Sequence, residues 1–134
     1  PNEATLWRLI ARNTLENKVL LAGFVSDVAA IWRTHHALLL ASRMEGLPLV
    51  VVEAMLSGRV PIVTAVGGSA ELIDDNRTGF VATAATPDLV HEALDRAWQR
   101  RGEWPAIGLA AAESSRTQIP ADPVGHFCEV LLCS

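Results

Sequence analysis

The stretch "MEGLPLVVVEAMLSGRVPIVTAVGG" (44–68) contains a predicted helix followed by a predicted strand, and this pair decides the fold. Pro48 is well tolerated in the first turn of a helix, where its missing N–H removes no bond. Gly58 suits the left-handed conformation that often ends a helix. We therefore predict a helix over about 48–56. The branched residues of 60–66 then predict a strand.

Strands and helices alternate on both sides of this pair. The apolar runs 18–24, 37–42 and 79–83 predict three more strands. Helical spacing and capping residues predict helices within the following ranges: 3–15, 26–34, 67–79, 86–101, 103–114 and 122–133. Strands that alternate with helices pair in parallel through right-handed crossovers. The predicted fold class is therefore α/β, a doubly wound parallel sheet.

The composition of the chain excludes several classes of protein. Half of the 134 residues are apolar and 19% are charged, which is typical of a folded domain with a core. The net charge is −4 and no dense basic cluster occurs, so we expect no nucleic-acid partner. The two cysteines, Cys128 and Cys133, would point apart on one helix, and we predict no disulfide between them. A reducing, cytoplasmic setting fits best, with peripheral membrane contact of the full-length protein left open.

Two glutamates bracket the predicted helix of the opening stretch. Glu45 lies in the loop before it and Glu53 lies inside it. Ligands of an open α/β sheet bind outside the carboxyl ends of the strands, where helix N-termini present free N–H groups. The amides of Leu47, Leu49 and Val50 are therefore predicted to face a phosphate, with a carboxylate on each side for sugar hydroxyls. Alternatively, Glu45 only caps the helix start, where the dipole favours an acid, and Glu53 only lies on a solvated face. The apolar neighbours of Glu53 argue against this alternative.

A longer segment carries a family resemblance: "ALLLASRMEGLPLVVVEAMLSGRVPIVTAVGGSAELIDDNRTGFVA" (37–82). Its E-x7-E pair, the "EAM", the "GG..E" and the "TG" before an apolar strand closely resemble the C-terminal half-domain of family 4 retaining glycosyltransferases. That family has the two-domain GT-B fold, and residues 17–36 are similar to it more loosely. The resemblance implies that 1–134 is a partial C-terminal nucleotide-sugar-binding domain, without its first two strand–helix units and without the N-terminal acceptor domain.

The resemblance also implies roles for single residues. Glu53 should accept hydrogen bonds from the ribose of a nucleotide-sugar donor, and Glu45 should contact the transferred sugar near its reacting carbon as the catalytic candidate. Gly46 and the amides that follow it should approach the sugar and diphosphate. No metal and no cofactor are expected. The implied function is the donor-binding portion of a retaining glycosyltransferase, inactive by itself, and the alternative is a truncated, non-catalytic nucleotide-binding or interaction module.

The missing units have a physical consequence for the sheet. In the usual strand order of this fold, two further strands would lie between 18–24 and 37–42. We therefore expect exposed apolar surface, self-association through exposed sheet edges, or rearranged pairing. Three further polar residues receive structural interpretations: His35 and His36 at a helix end, and Glu71, the acid of the "GG..E", in a hydrogen bond.

Overall fold

The computed structural model describes residues 3–119 and 122. Three strands and six α-helices alternate in this part of the chain. In chain order they are α1 (Glu3–Arg12), α2 (Val28–Thr34), β1 (Ala37–Leu40), α3 (Leu49–Leu56), β2 (Val60–Thr64), α4 (Ser69–Leu72), β3 (Phe80–Ala82), α5 (Pro87–Gln99) and α6 (Trp104–Gln118). A single 3-10 turn, Arg101–Glu103, joins α5 to α6.

The three strands form one parallel sheet in the order β1-β2-β3. The register places Leu39 beside Ile62 and Ile62 beside Phe80. All five residues of β2 are buried, because it has a strand on each side and a helix layer on each face. The predicted α/β class with parallel pairing is confirmed.

Alternate residues of β2 face the two helix layers. Val60 and Ile62 belong to a cluster with Phe80 and with the small residues Ala93 and Ala97 of α5. On the other face, the apolar cluster joins β2 to helices α3, α4 and α6 through Val51, Met55, Val63, Leu72, Ile73 and Ala111. This alternation is what a strand covered on both faces requires.

Helix α3 begins and ends where its punctuating residues predict. Pro48 is the N-cap, and the helix runs from Leu49 to Leu56. Gly58 follows with a φ of +68°, and the Arg59 N–H donates back to Ala54 O at 2.9 Å. Local chemistry therefore places the start of this helix directly after the loop that carries Glu45.

The strand predicted at 18–24 does not form. Residues 20–25 make no backbone hydrogen bond with any described residue, and Leu20 and Phe24 are 85% and 95% exposed. A strand is stable only when its backbone groups find a partner, and the described chain offers none here, so the apolar pattern alone misled the prediction. The expected exposed apolar surface is confirmed, whereas self-association stays a prediction.

The remaining predictions concern the end of the chain. The helix predicted at 103–114 is confirmed as α6, whereas the one at 122–133 and both cysteines lie outside the described residues. Within the described part of the chain, no helix is long and apolar enough to cross a membrane.

Candidate functional site

The loop after β1 is fastened to the end of β2. The Thr64 hydroxyl donates to Ser42 O at 2.6 Å, and the Gly68 N–H donates to Gly46 O at 2.8 Å. Both bonds lie at the carboxyl ends of parallel strands, the edge at which open α/β sheets bind ligands. The loop that carries Glu45 is therefore held at this edge from two sides.

Glycine has opposite roles in the two loops of this edge. Gly67 has a φ of +53°, and a Cβ there would collide with the backbone oxygen of Glu45. Its lack of a side chain is thus required by the fold itself. A Cβ on Gly46 would meet nothing within 4 Å, so open space lies beside this residue. The predicted approach of a ligand to Gly46 stays a prediction.

The carboxylate of Glu45 is positioned by a neighbouring serine. Ser42 Oγ donates to Glu45 Oε1 at 2.6 Å, a short bond of the charge-assisted kind. The Glu45 residue is half-buried, and Oε2 has no hydrogen-bond partner among the described residues. One oxygen is therefore fixed while the other can accept a hydrogen bond from a ligand.

The first turn of α3 and the residue before its N-cap have free N–H groups. Within residues 3–119, no acceptor bonds to the amides of Leu47, Leu49 or Val50, and no side chain caps the helix. Leu49 is 69% exposed, so the turn lies at the surface. Unpaired amides together with the positive end of the helix dipole favour an anion.

Glu53 lies on the exposed side of the same helix. Leu49, Glu53 and Leu56 are spaced so that they share one face, and all three are exposed. The Glu53 carboxylate makes no hydrogen bond or ion pair with another described residue, although its apolar neighbours led us to expect a partner or a ligand. Its carboxylate is therefore available to a ligand that approaches this face.

Glu53 also lines a groove of about 510 Å³, which we call the α2–α3 groove. A volume of this size lies within the range of about 300–1,000 Å³ that is usual for small-molecule sites. Trp32 forms part of the wall and is only 8% exposed, and its Nε1 has no hydrogen-bond partner among the described residues. The other lining residues are Val28, Ala29, Arg33, Leu56, Ser57 and Arg59.

Several residues of the candidate site and of the α2–α3 groove were not identified from the sequence. Ser42 lies two residues after the end of β1 and three residues before Glu45, a signal that could have found it. Trp32 and Arg59 meet at the α2–α3 groove only because separate elements pack together, and no local spacing indicates that. Glu71 was interpreted wrongly: it is exposed and its carboxylate makes no hydrogen bond with a described residue.

His35 has a structural role at the end of α2. His35 ends α2, where its N–H and its Nδ1 both contact Ile31 O at 2.9 Å, as expected of a residue at a helix end. Among the described residues, no group of three His, Cys, Asp or Glu side chains could hold a metal ion.

A parallel sheet with helices on both faces, and with Glu45 and free amides at its carboxyl edge, is a Rossmann-like domain, and its fold matches the C-terminal domains of GT-B proteins. The family model described as "Glycosyl transferases group 1" matches residues 1–100. The chain therefore belongs to the group 1 glycosyltransferase family.

Two curated relatives illustrate the range of the family. The lipopolysaccharide core biosynthesis mannosyltransferase LpcC of Rhizobium leguminosarum bv. viciae is 32% identical over 108 residues, which are 81% of this chain and 30% of the relative. N-acetyl-alpha-D-glucosaminyl L-malate synthase of Bacillus anthracis is 35% identical over 81 residues, 60% of this chain and 21% of the relative. The chain thus spans less than a third of the length of either protein.

Solved structures with the same fold include two of particular use. Anabaena Alr3699/HepE in complex with UDP superimposes with a TM-score of 0.85 at 24% identity, over 98% of this chain and 36% of that one. The C-terminal domain of a group 1 glycosyl transferase (LpcC) from Francisella tularensis superimposes with a TM-score of 0.77 at 22% identity, over 90% of this chain and 63% of that one. At these identities the likeness establishes the fold.

Proposed function

We propose that this chain is the donor-binding portion of a retaining glycosyltransferase that uses a nucleotide-diphosphate sugar. In this proposal the first two strand–helix units and the acceptor-binding domain belong to a longer protein, since the relatives above are more than three times as long as the part they share with this chain. The family membership supports a transferase, and the UDP bound to Alr3699/HepE supports a nucleotide donor.

The diphosphate is proposed to lie at the first turn of α3. The N–H groups of Leu47, Leu49 and Val50 have no acceptor within the described chain, and they lie at the positive end of a helix. When the bond from the sugar to the diphosphate breaks, negative charge develops on the departing oxygen. Fixed amides that face this oxygen would stabilise it without having to reorganise.

The nucleoside is proposed to lie along the exposed face of α3, with its ribose at Glu53. A carboxylate accepts two O–H donors at once and so suits a pair of ribose hydroxyls. Glu53 lines the α2–α3 groove, whose partly apolar wall includes Val28, Trp32 and Leu56. An apolar wall next to an acid fits a flat base joined to a polar sugar.

Glu45 is proposed to contact the transferred sugar. Ser42 holds Oε1, and Oε2 is left to accept from a sugar hydroxyl beside the reacting carbon. The acceptor hydroxyl then forms its bond to that carbon on the same face from which the diphosphate departs, and its proton passes to the departing diphosphate oxygen. The chemistry relies on placement and charge stabilisation, and the proposal includes no metal or cofactor.

One observation carries the proposal: α3 has unpaired amides at its start and an unpaired carboxylate, that of Glu53, on its exposed face. Calorimetric titration of UDP and GDP into the full-length protein tests it. Glu53→Ala should weaken binding of the preferred nucleotide by about tenfold or more, since hydrogen bonds to a charged group are lost. Glu113→Ala is the matched control, because Glu113 is an exposed helical glutamate without an ion pair to a described residue.

The same titration can overturn the proposal. Undetectable binding of both nucleotides, or binding indifferent to Glu53→Ala, would contradict it. Nucleotide binding that depends on Glu53, but without any transfer to an acceptor or to water, would instead support the alternative of a non-catalytic nucleotide-binding module.

A further inference from the structure

A second pocket lies at the opposite end of the sheet from the first turn of α3. His36 directly precedes β1 and Arg59 directly precedes β2, and the Val60 N–H donates to His36 O at 3.2 Å. The pocket has a volume of about 220 Å³ and is lined by His36, Gly58, Arg59, Arg101, Trp104 and Pro105. We call it the amino-end pocket, because it lies at the amino ends of two parallel strands.

Three basic side chains meet at this pocket without a compensating acid. His36, Arg59 and Arg101 come from three separate parts of the chain, and none forms an ion pair with a described residue. The nearest acid in sequence to Arg101 is Glu103, and its carboxylate is bound by Arg100 at 2.6 Å. Arg101 itself only donates to Trp98 O and lies over the Trp98 ring. A chain of net charge −4 therefore keeps an uncompensated positive site here.

Two further features of the pocket favour an anion. Arg59 Nε is buried and has no acceptor among the described residues, although buried donors are nearly always paired. The first turn of α6 supplies Trp104 and Pro105 to the wall, so the positive end of a 15-residue helix adjoins the pocket. An oxyanion would supply acceptors to the buried arginine and be favoured by the helix.

The walls of the pocket are held rigidly. Gly108 of α6 packs directly on the backbone of Gly58, and a Cβ on Gly108 would collide with Gly58 O. Gly58 itself has a φ of +68°, which other residues rarely adopt. The pocket is thus preformed, and its volume is below the range of about 300–1,000 Å³ that suits larger ligands.

We propose that the amino-end pocket binds a small oxyanion of the phosphate class. The basic side chains would contact the phosphate oxygens, and the Trp104 and Pro105 wall would contact any organic group attached to them. Two sources share this chemistry: inorganic phosphate and the phosphate of a small phosphomonoester. Arg59 lines both this pocket and the α2–α3 groove, but the amides proposed to hold the diphosphate lie at the opposite end of the strands.

Calorimetric titrations with sodium phosphate and with phenyl phosphate, at constant ionic strength, test the proposal. Saturable binding is expected, and Arg101→Gln and His36→Gln should each weaken it, by about tenfold for the arginine. Arg77→Gln is the matched control with the same loss of charge, since Arg77 is an exposed arginine paired with Asp74 elsewhere. Tighter binding of phenyl phosphate would assign the site to phosphomonoesters, and equal or weaker binding would assign it to free phosphate.

Three outcomes would overturn the proposal. They are the absence of saturable binding, an equal loss in Arg77→Gln, and displacement of phosphate by saturating UDP or GDP, which would assign the phosphate to the donor site. The two pocket variants lie on different elements, and circular dichroism melting of each separates lost binding from lost folding.

Discussion

Strand β2 and the segment 18–24 are both short apolar runs rich in branched or bulky residues, yet they differ completely in the folded chain. All five residues of β2 are buried between two strands and two helix layers. Leu20 and Phe24 of the other run point into solvent, and residues 20–25 have no backbone partner within the described chain. The difference teaches that an apolar run becomes a strand only where neighbours complete its hydrogen bonds.

The largest expected effect comes from the same substitution in the buried sheet and in segment 18–24. Phe80 of β3 is fully buried against β2 and α5, and Phe80→Ala should lower the free energy of unfolding by about 3–5 kcal/mol. Phe24 is 95% exposed, and Phe24→Ala should change it by less than about 0.5 kcal/mol. Urea unfolding of both variants measures the two values. Equal losses would mean that 18–24 is packed in solution, against the structure described here.

Gly67 and Gly46 extend the comparison of packed and exposed positions to the candidate site. Gly67→Ala should destabilise the chain by about 1–3 kcal/mol, because the residue has a positive φ and its new Cβ would strike the Glu45 backbone. Gly46→Ala should change the free energy of unfolding by less than about 0.5 kcal/mol, because a Cβ there meets only open space. Urea unfolding of the two variants measures both free energies. A Gly67→Ala variant as stable as the unchanged chain would contradict the packing of the two loops.

A smaller effect is expected from the serine that holds Glu45. Ser42→Ala removes the 2.6 Å bond to Oε1 and should cost about 1 kcal/mol of unfolding free energy. Ser26→Ala is the control, since Ser26 is exposed and makes no hydrogen bond with a described residue. If both variants were equally stable in thermal unfolding, Ser42 would contribute nothing to the position of the acid.

The smallest expected effect concerns pH. The hydrogen bond from Arg100, and then its charge, lower the pKa of the exposed Glu103 carboxyl below its usual value. A carboxyl with a lowered folded pKa stabilises the fold above its unfolded pKa, and this contribution is lost as the pH falls through the folded pKa. Stability should therefore fall slightly less on acidification in Glu103→Gln than in the unchanged chain. Identical acid profiles in denaturant titrations would show that the pair contributes nothing.

Much of the fold could be predicted because its signals are local. Pro48 and Gly58 bound α3, Thr86 caps α5 and accepts from the Leu89 N–H, and the apolar runs at β1, β2 and β3 lie where strands form. The segment 18–24 failed because strand pairing depends on distant neighbours, which a sequence window does not contain.

The candidate site was predictable to a smaller extent. Glu45 and Glu53 stand at a spacing that the family resemblance makes recognisable, and their positions before and within α3 follow from the helix boundaries. The α2–α3 groove could not be predicted, because Trp32 and Arg59 are brought to it by tertiary packing. The same holds for the amino-end pocket, whose basic residues are dispersed along the sequence.

The most direct test of the central claim is a nuclear magnetic resonance titration of the full-length protein with UDP and GDP. If a nucleotide diphosphate lies across the start of α3, the amide signals of Leu47, Leu49 and Val50 should move most, and Glu53→Ala should weaken the apparent affinity. Unmoved signals from this first turn, with saturable shifts elsewhere in the protein, would contradict the account.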